Sequence, residues 1–250
     1  MNGEVYELCE IVLHANRALS EAGPIEPLAE RYVKERRFVF SQSFGFANSL
    51  EQWFEISRKR GLSQIMILLP TRVSQRSILG FANTSQGCAM LFRDDSSISV
   101  LSPQWTYLPE ERKWRVVYRE QEWNKKPFGI PEFIDPRRSF DYALKEIGEF
   151  ARALNQPYFE NVFSSARDIL SGKEEDAFPG SFAGVGKARK CYLNAASKAD
   201  VFGGMGSWND TPAGYAKQLG RGKDYERLSD ELLKQIRLAV MYGVNHSFDD

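Results

Sequence analysis

The chain has 250 residues, of which 42% are hydrophobic and 26% are charged. This composition is typical of a globular protein and argues against disordered, collagen-like and membrane-embedded classes. The 33 basic and 33 acidic side chains cancel to a formal net charge of zero, so no overall field attracts nucleic acid or anionic lipid. We therefore expect neither a nucleic-acid nor a membrane partner, and we expect no cofactor.

The cysteines and the N-terminus indicate the compartment. Cys9, Cys88 and Cys191 are odd in number and far apart in sequence, which argues against a disulfide framework and favours a reducing environment. Three glutamates interrupt the first ten residues, unlike the apolar core of a secretory signal. The longest purely apolar run, residues 65–69, is far too short to span a membrane. The sequence predicts a cytoplasmic protein.

The first quarter of the chain is predicted to be helical. Apolar residues recur at steps of three and four between residues 4 and 19, which is the period of a helix with one buried stripe. A second helix is predicted over residues 26–36. A third is predicted over residues 49–60, with Ser49 as its N-cap and Gly61 in the position that follows a helix C-terminus.

Residues 63–120 have the pattern of a sheet. Short runs rich in branched and aromatic residues alternate with turn residues; the runs are SQIMILLP, RSILGFAN, GCAMLFRD, SISVLS, QWTYLP and KWRVVYRE. The gaps at residues 83–87 and 93–97 are short enough for hairpins and too short for crossover helices. The segment is therefore predicted to form an antiparallel meander.

After a proline-rich passage at residues 126–137, the helical period returns and continues to the C-terminus. Helices are predicted over residues 140–154, 157–172 and 187–198, with a last one from about residue 224. The fold class is predicted to be α+β, with a central antiparallel β-meander flanked by N-terminal helices and a C-terminal helical region. We expect a single domain over residues 1–250.

The densest local signal is the segment DVFGGMGSWNDTP at residues 200–212. Its glycines permit positive φ and close backbone approach, and Thr211 and Pro212 are typical of a helix start. On an architectural interpretation, the chain passes beneath a buried Trp208 whose N–H is hydrogen-bonded. On a binding interpretation, the loop contacts a ligand or partner through its candidate site residues: Gly203, Gly204, Gly206, Ser207, Trp208, Asn209 and Asp210.

This segment also carries a resemblance. Together with residues 225–232 and the final helix to residue 245, it resembles an uncharacterised bacterial protein family with an FGGMGSWND motif before a C-terminal helix. The helical pair around residues 140–170 is similar too, so the likeness covers the C-terminal part of the chain. The family implies no activity. By analogy, small proteins of this kind resemble the immunity proteins of bacterial toxin systems.

Catalytic signatures are weak. The only two histidines, His14 and His246, do not provide zinc ligands at the usual spacing, and no local motif indicates a nucleophilic triad. One enzyme alternative is a metal-dependent nuclease or phosphodiesterase, because acidic residues followed by a lysine can bind a divalent ion and polarise a phosphate. Its residues would be Asp94, Asp95, Glu111 and Lys113.

Three functions therefore compete. The favoured hypothesis is a non-enzymatic cytoplasmic binding protein, most concretely an immunity protein that neutralises a cognate protein toxin by occluding its active site. The nuclease is the first alternative. The second is a small-ligand regulatory domain with its pocket at the glycine loop. Neither the identity of the toxin nor the oligomeric state follows from the sequence.

Overall fold

The computed structural model describes residues 1–41, 45–123, 133–173, 182 and 184–246. The chain divides into two compact units. The first, here called the sheet unit, comprises Gly3–Leu68 and Ser85–Pro131; the second, the helical unit, comprises Met1–Asn2, Leu69–Thr84 and Glu132–Asp250. Each unit is formed by segments that are not contiguous in sequence. A single domain over the whole chain stays a prediction.

The sheet unit consists of α1 (Gly3–Ser20), β1 (Val33–Val39), β2 (Phe46–Ala47), α2 (Leu50–Lys59), β3 (Leu62–Leu68), β4 (Cys88–Arg93), β5 (Ile98–Leu108) and β6 (Lys113–Glu122). Its strands form a mixed sheet with the order β2-β1-β6-β5-β4-β3. Strands β3 to β6 form the antiparallel meander that the sequence predicts. Helices α1 and α2 match the predicted ones, and Ser49 caps α2 by accepting a hydrogen bond from the Gln52 amide at 3.2 Å.

The predicted helix over residues 26–36 is wrong. Its last four residues, 33–36, belong to strand β1, which lies parallel to β6. Phe38 explains the difference, because its ring stacks between Trp53 of α2 and Tyr118 of β6, at centroid distances of 5.2 and 4.9 Å. This packing overrides a weak local preference for helix. The expected RSILGFAN strand is also absent from the described residues; that segment holds a 3₁₀ turn, Arg76–Ile78.

The two faces of the sheet differ along β1 and β6. Arg36 forms an ion pair with Glu7 of α1, and Phe38 packs on α2, so both helices cover the face to which these side chains point. Side chains alternate along a strand, which places Glu35 and Arg37 on the opposite face. That face is exposed at Glu35 and Arg37, and also at Arg115 in β6.

The helical unit contains α3 (Arg137–Ala153), α4 (Pro157–Leu170), α5 (Lys187–Ala199), α6 (Thr211–Gln218) and α7 (Gly222–Asn245). Helices α3, α4, α5 and α7 pack in a ring, each against the next. Their apolar stripes supply the core, as the helical period predicts. Helix α3 begins two residues before Ser139, whose hydroxyl donates to the Gln235 side chain of α7.

The architecture confirms the α+β class. None of the helices in the described ranges combines the length and apolar character that crossing a bilayer requires. Most of the proline-rich passage, residues 126–132, lies outside the described residues, as do residues 174–181 and 183 in the loop before α5.

Candidate functional site

Trp208 is the anchor of the glycine loop, which we define as residues 200–210. Its side chain is fully buried, with 0% of its surface exposed. The indole N–H donates to the Ser229 hydroxyl at 2.8 Å, and the ring packs edge-on against Phe159 and Phe163 and stacks on Tyr225. The Tyr225 hydroxyl in turn donates to the Trp208 carbonyl at 2.8 Å. This is the arrangement that the architectural interpretation predicts.

The three glycines of the loop have different roles. Gly206 has a φ of +78°, a conformation that favours glycine, whereas Gly203 and Gly204 have no positive φ. A Cβ on Gly204 would meet open space, and one on Gly203 would make ordinary contact with Ser207. The sequence predicts that these glycines permit positive φ and close backbone approach, and of the three only Gly206 has a positive φ.

Gly80 is a glycine that the sequence analysis missed. It lies in the loop of residues 76–84 and passes directly against the glycine loop. A Cβ built on Gly80 would come within 2.6 Å of the Gly203 carbonyl carbon and the Gly204 nitrogen. These are backbone atoms and cannot rotate away, so the two loops touch at this point only because residue 80 has no side chain.

This contact gives a matched pair of substitutions. Gly80→Ala forces the two backbones apart, and overpacking of this kind costs about 1–3 kcal/mol. Gly204→Ala places its methyl group in open space, so the free energy of unfolding should hardly change. Urea denaturation of both variants checks the expectation. Equal stability of the two would show that the close approach does not exist in solution.

The polar groups of the glycine loop bind each other. The Ser207 hydroxyl donates to the Gly203 carbonyl at 2.9 Å, and the Gly206 amide donates to the Asp210 carboxylate at 2.9 Å. The Trp208 amide donates to the Val201 carbonyl. Asp210 therefore reaches back into the loop, and its side chain does not cap α6. Most of the amides that an anion would need are already used, which weakens the small-ligand hypothesis at this loop.

Ion pairs and hydrogen bonds stabilise the 76–84 loop at both of its ends. Arg76 forms ion pairs with Glu226 and Asp230 of α7, and its carbonyl accepts a hydrogen bond from the Asn209 side chain at 3.0 Å. The Thr84 hydroxyl contacts the Ile78 and Phe81 carbonyls at 2.8 and 2.6 Å. The loop is thereby held by contacts to α7, to the glycine loop and to itself.

Two apolar side chains are exposed beside this loop contact. Met205 follows Gly204 and is 99% exposed, and Phe81 follows Gly80 and is 60% exposed. Each is one residue along the chain from a glycine of the backbone contact, Gly80 or Gly204. We call Phe81 and Met205 the apolar pair. Of the predicted binding loop, the predicted anchor Trp208 is buried, whereas Met205, which was not singled out, is exposed.

The proposed nuclease residues do not converge. Asp94 and Asp95 lie in the turn before β5, and Glu111 lies in the turn after it. Because β5 has eleven residues, the two turns are about 33 Å apart at about 3.3 Å per residue. Glu111 instead forms an exposed ion pair with Lys34, and Asp95 accepts a hydrogen bond from the Ser97 amide. Lys113 begins β6, beside Glu111 and far from the two aspartates.

The described residues also lack a cluster of metal ligands. Within the described ranges, no group of three or more His, Cys, Asp or Glu side chains could hold a metal ion. The acidic residues of the predicted nuclease belong to hairpin turns at opposite ends of one strand, so the geometry gives this alternative no support.

The sheet unit has a surface feature that the sequence analysis did not predict. A groove of about 860 Å³ runs beside β1, between this strand and the segments at residues 27–30 and 48–51. Arg37 and Arg115 line it, together with Leu28 and Leu50. No periodic signal could have found it, because it depends on how segments distant in sequence meet.

Comparisons with known proteins supply no function. No protein-family model matches the sequence, and no match was found among curated proteins or among solved structures. Any functional proposal for this chain therefore rests on its own residues and their geometry.

Proposed function

We propose that this protein is a non-enzymatic binding protein, and most concretely an immunity protein that neutralises a cognate bacterial toxin by covering its active site. The observation that carries the proposal is the apolar pair, Phe81 and Met205, exposed where two loops of the helical unit touch. Burying large apolar surface side chains against a partner removes them from water and lowers the free energy of the complex.

The loops that carry the apolar pair suit a protein interface. Their backbones are fixed by the Trp208 cluster, by the Arg76 ion pairs and by the Gly80 contact. Fixed loops lose little conformational entropy when a partner binds, which favours affinity. Methionine adds adaptability, because its unbranched side chain fits irregular surfaces.

Two more exposed apolar side chains of the helical unit would add to the contact. A specific interface covers about 800 Å² on each partner, which is more than two side chains provide. Ile78 lies in the same loop and is 40% exposed, and Tyr215 of α6, the helix that follows the glycine loop, is 46% exposed. The apolar pair would then form the centre of the contact, where the residues with the largest binding energy concentrate.

The alternatives have less support. The nuclease needs carboxylates that meet at one ion, and these residues lie in opposite turns of β5. The small-ligand domain needs free amides at the glycine loop, and most of them are occupied. A protein partner needs only the exposed side chains.

Co-expression tests the proposal directly. The probe is the C-terminal domain of a toxin-like protein encoded beside this gene, expressed in a host that it stops from growing. We expect the wild-type chain to restore growth and to form a stoichiometric complex with the toxin domain. Continued growth arrest, together with no complex in size-exclusion chromatography, would refute the immunity function.

Surface variants locate the contact. Phe81→Asp and Met205→Asp place a charge in the apolar pair, and we expect each to weaken toxin binding by at least tenfold, because desolvating a charge at an interface centre is costly. Ile134→Asp is the matched control, since Ile134 is 90% exposed and belongs to the same unit. Equal binding by all three variants would place the contact elsewhere.

A further inference from the structure

The outer edge of β1 is only partly paired. Strand β2 lies alongside it at two positions, where Phe38 faces Ala47 and Val39 faces Phe46. Over Lys34–Arg37, β1 pairs with β6 on one side, and no described strand lies on the other. An open strand edge presents unpaired N–H and C=O groups, which makes it a template for another strand.

The contact with β2 shows to which side of β1 its backbone N–H and C=O groups point. The Phe40 amide donates to the Gly45 carbonyl at 3.1 Å, on the β2 side of β1. Backbone groups of successive residues point to opposite sides of a strand. Those of Phe38 and Arg36 therefore point to the same side as those of Phe40. Phe38 is paired there with β2, whereas the N–H and C=O of Arg36 face the groove.

The groove has room for an extended peptide. Its volume of about 860 Å³ is in the upper part of the range for ligand sites in proteins, about 300–1,000 Å³. Leu28, which is half-buried, provides an apolar contact in the groove. A peptide lying in the groove would continue the line of β2 along the rest of β1.

The charges in the groove select the occupant. Three of its cations have carboxylate partners: Lys34 with Glu111, Arg36 with Glu7 and Arg115 with Glu35. Arg37 has none among the described residues, and its guanidinium lies 3.8 Å from the centre of the Phe46 ring. This contact orients the guanidinium and leaves its N–H donors available.

The acidic residues of the groove restrict the occupant further. Glu30 and Glu51 also line it, so they disfavour a uniformly acidic sequence. One carboxylate beside Arg37, flanked by neutral side chains, fits this charge pattern better.

We propose that an extended segment of a partner protein adds to the sheet at the open edge of β1, with an acidic side chain beside Arg37. The backbone of Arg36 supplies the hydrogen bonds, and Arg37 supplies the selectivity. This mode of recognition combines main-chain bonds for affinity with side-chain contacts for specificity. It involves a different unit from the apolar pair, so it stands or fails independently of the immunity function.

A charge exchange tests the selectivity. The probes are two acetylated and amidated peptides, Thr-Val-Thr-Glu-Thr-Val-Thr and the same peptide with Lys in place of Glu, titrated into the full chain while amide resonances are recorded. We expect the Glu peptide to shift the Arg36 amide and to bind at least fivefold more tightly than the Lys peptide. Arg37→Glu should reverse this preference, and Lys59→Glu, at the end of α2, should not.

N-methylation of the peptide tests strand addition. Only alternate amides of an added strand bond to β1. Methylating one alternate set of amides in the Glu peptide should therefore weaken binding at least tenfold, and methylating the other set should weaken it less than threefold. Equal effects of the two sets, an unshifted Arg36 amide, or an unchanged preference in Arg37→Glu would each overturn the proposal. A shift of the Arg36 amide resonance on addition of a thymidine oligonucleotide, but not of the peptide, would also overturn the proposal.

Discussion

Trp208→Ala should lower the free energy of unfolding by about 3–5 kcal/mol, the usual cost of removing a large buried aromatic side chain. The indole is fully buried among Phe159, Phe163 and Tyr225. The substitution leaves a cavity between these rings and removes the hydrogen bond to Ser229. Urea denaturation, monitored by circular dichroism, measures the loss of stability.

Two further variants separate the causes. Trp208→Phe keeps a ring in the site but leaves the Ser229 hydroxyl without its donor, so a smaller loss of about 1–3 kcal/mol is expected. Met205→Ala truncates a side chain that is 99% exposed in the same loop and should be nearly neutral. If Trp208→Ala were as stable as Met205→Ala, Trp208 would not be the anchor of the loop.

Glu120→Ala should destabilise the sheet unit by a similar amount. The Glu120 carboxylate is buried on β6 and accepts hydrogen bonds from Arg60 at 2.8 Å, from Ser99 at 2.8 Å and from Arg93. Removing it takes this buried carboxylate away from both Arg60 and Arg93, and breaking a buried ion pair in this way costs about 3–5 kcal/mol. Glu35→Ala is the matched control, because its pair with Arg115 is exposed and contributes little.

The pH dependence of stability tests the same cluster. Burial alone would raise the pKa of Glu120, but the hydrogen bonds from Arg60 and Ser99 and the charge of Arg93 outweigh burial and lower the pKa. A lowered pKa in the folded state means that the unfolded chain binds the proton more tightly. The contribution of Glu120 is therefore complete above the ordinary glutamate pKa of about 4.3.

This contribution is lost as the pH falls from that value through the lowered pKa of the folded state. Glu120→Gln does not titrate, so its difference in stability from the wild type should shrink as the pH is reduced from 7 towards 3. A difference that stays constant over this range would contradict the proposed role of the carboxylate charge.

Local signals in the sequence were enough to predict much of the fold. The Ser49 cap and Gly61 define α2, and the short turns define the meander, because each depends on residues that are near in sequence. The burial of Trp208 could also be predicted, since the glycines around it permit close packing.

Features that depend on distant residues could not be predicted. Strand β1 carries four consecutive charged residues and a bulge between Val33 and Glu35, which hides the alternation expected of a strand. Its parallel partner β6 follows more than seventy residues later. For the same reason, nothing in the sequence around Gly80 indicates its contact with the glycine loop.

The candidate site was only partly predictable. The glycine loop was identified as a dense signal, but which of its side chains face solvent depends on the Trp208 cluster. Within this loop Trp208 is buried and stacks on Tyr225, whereas Met205 is exposed. The open edge of β1 is equally invisible in the sequence, because it follows from the brevity of β2.

Amide hydrogen exchange of the full chain, with and without the bound toxin domain, tests the proposed binding surface most directly. We predict slower exchange in the complex for peptides that cover residues 76–84 and 203–207, which carry the apolar pair. Peptides from β5 and β6 should exchange at unchanged rates. Unchanged exchange at both loops in a confirmed complex, with protection confined to other segments, would contradict the assignment of Phe81 and Met205 as the centre of the interface.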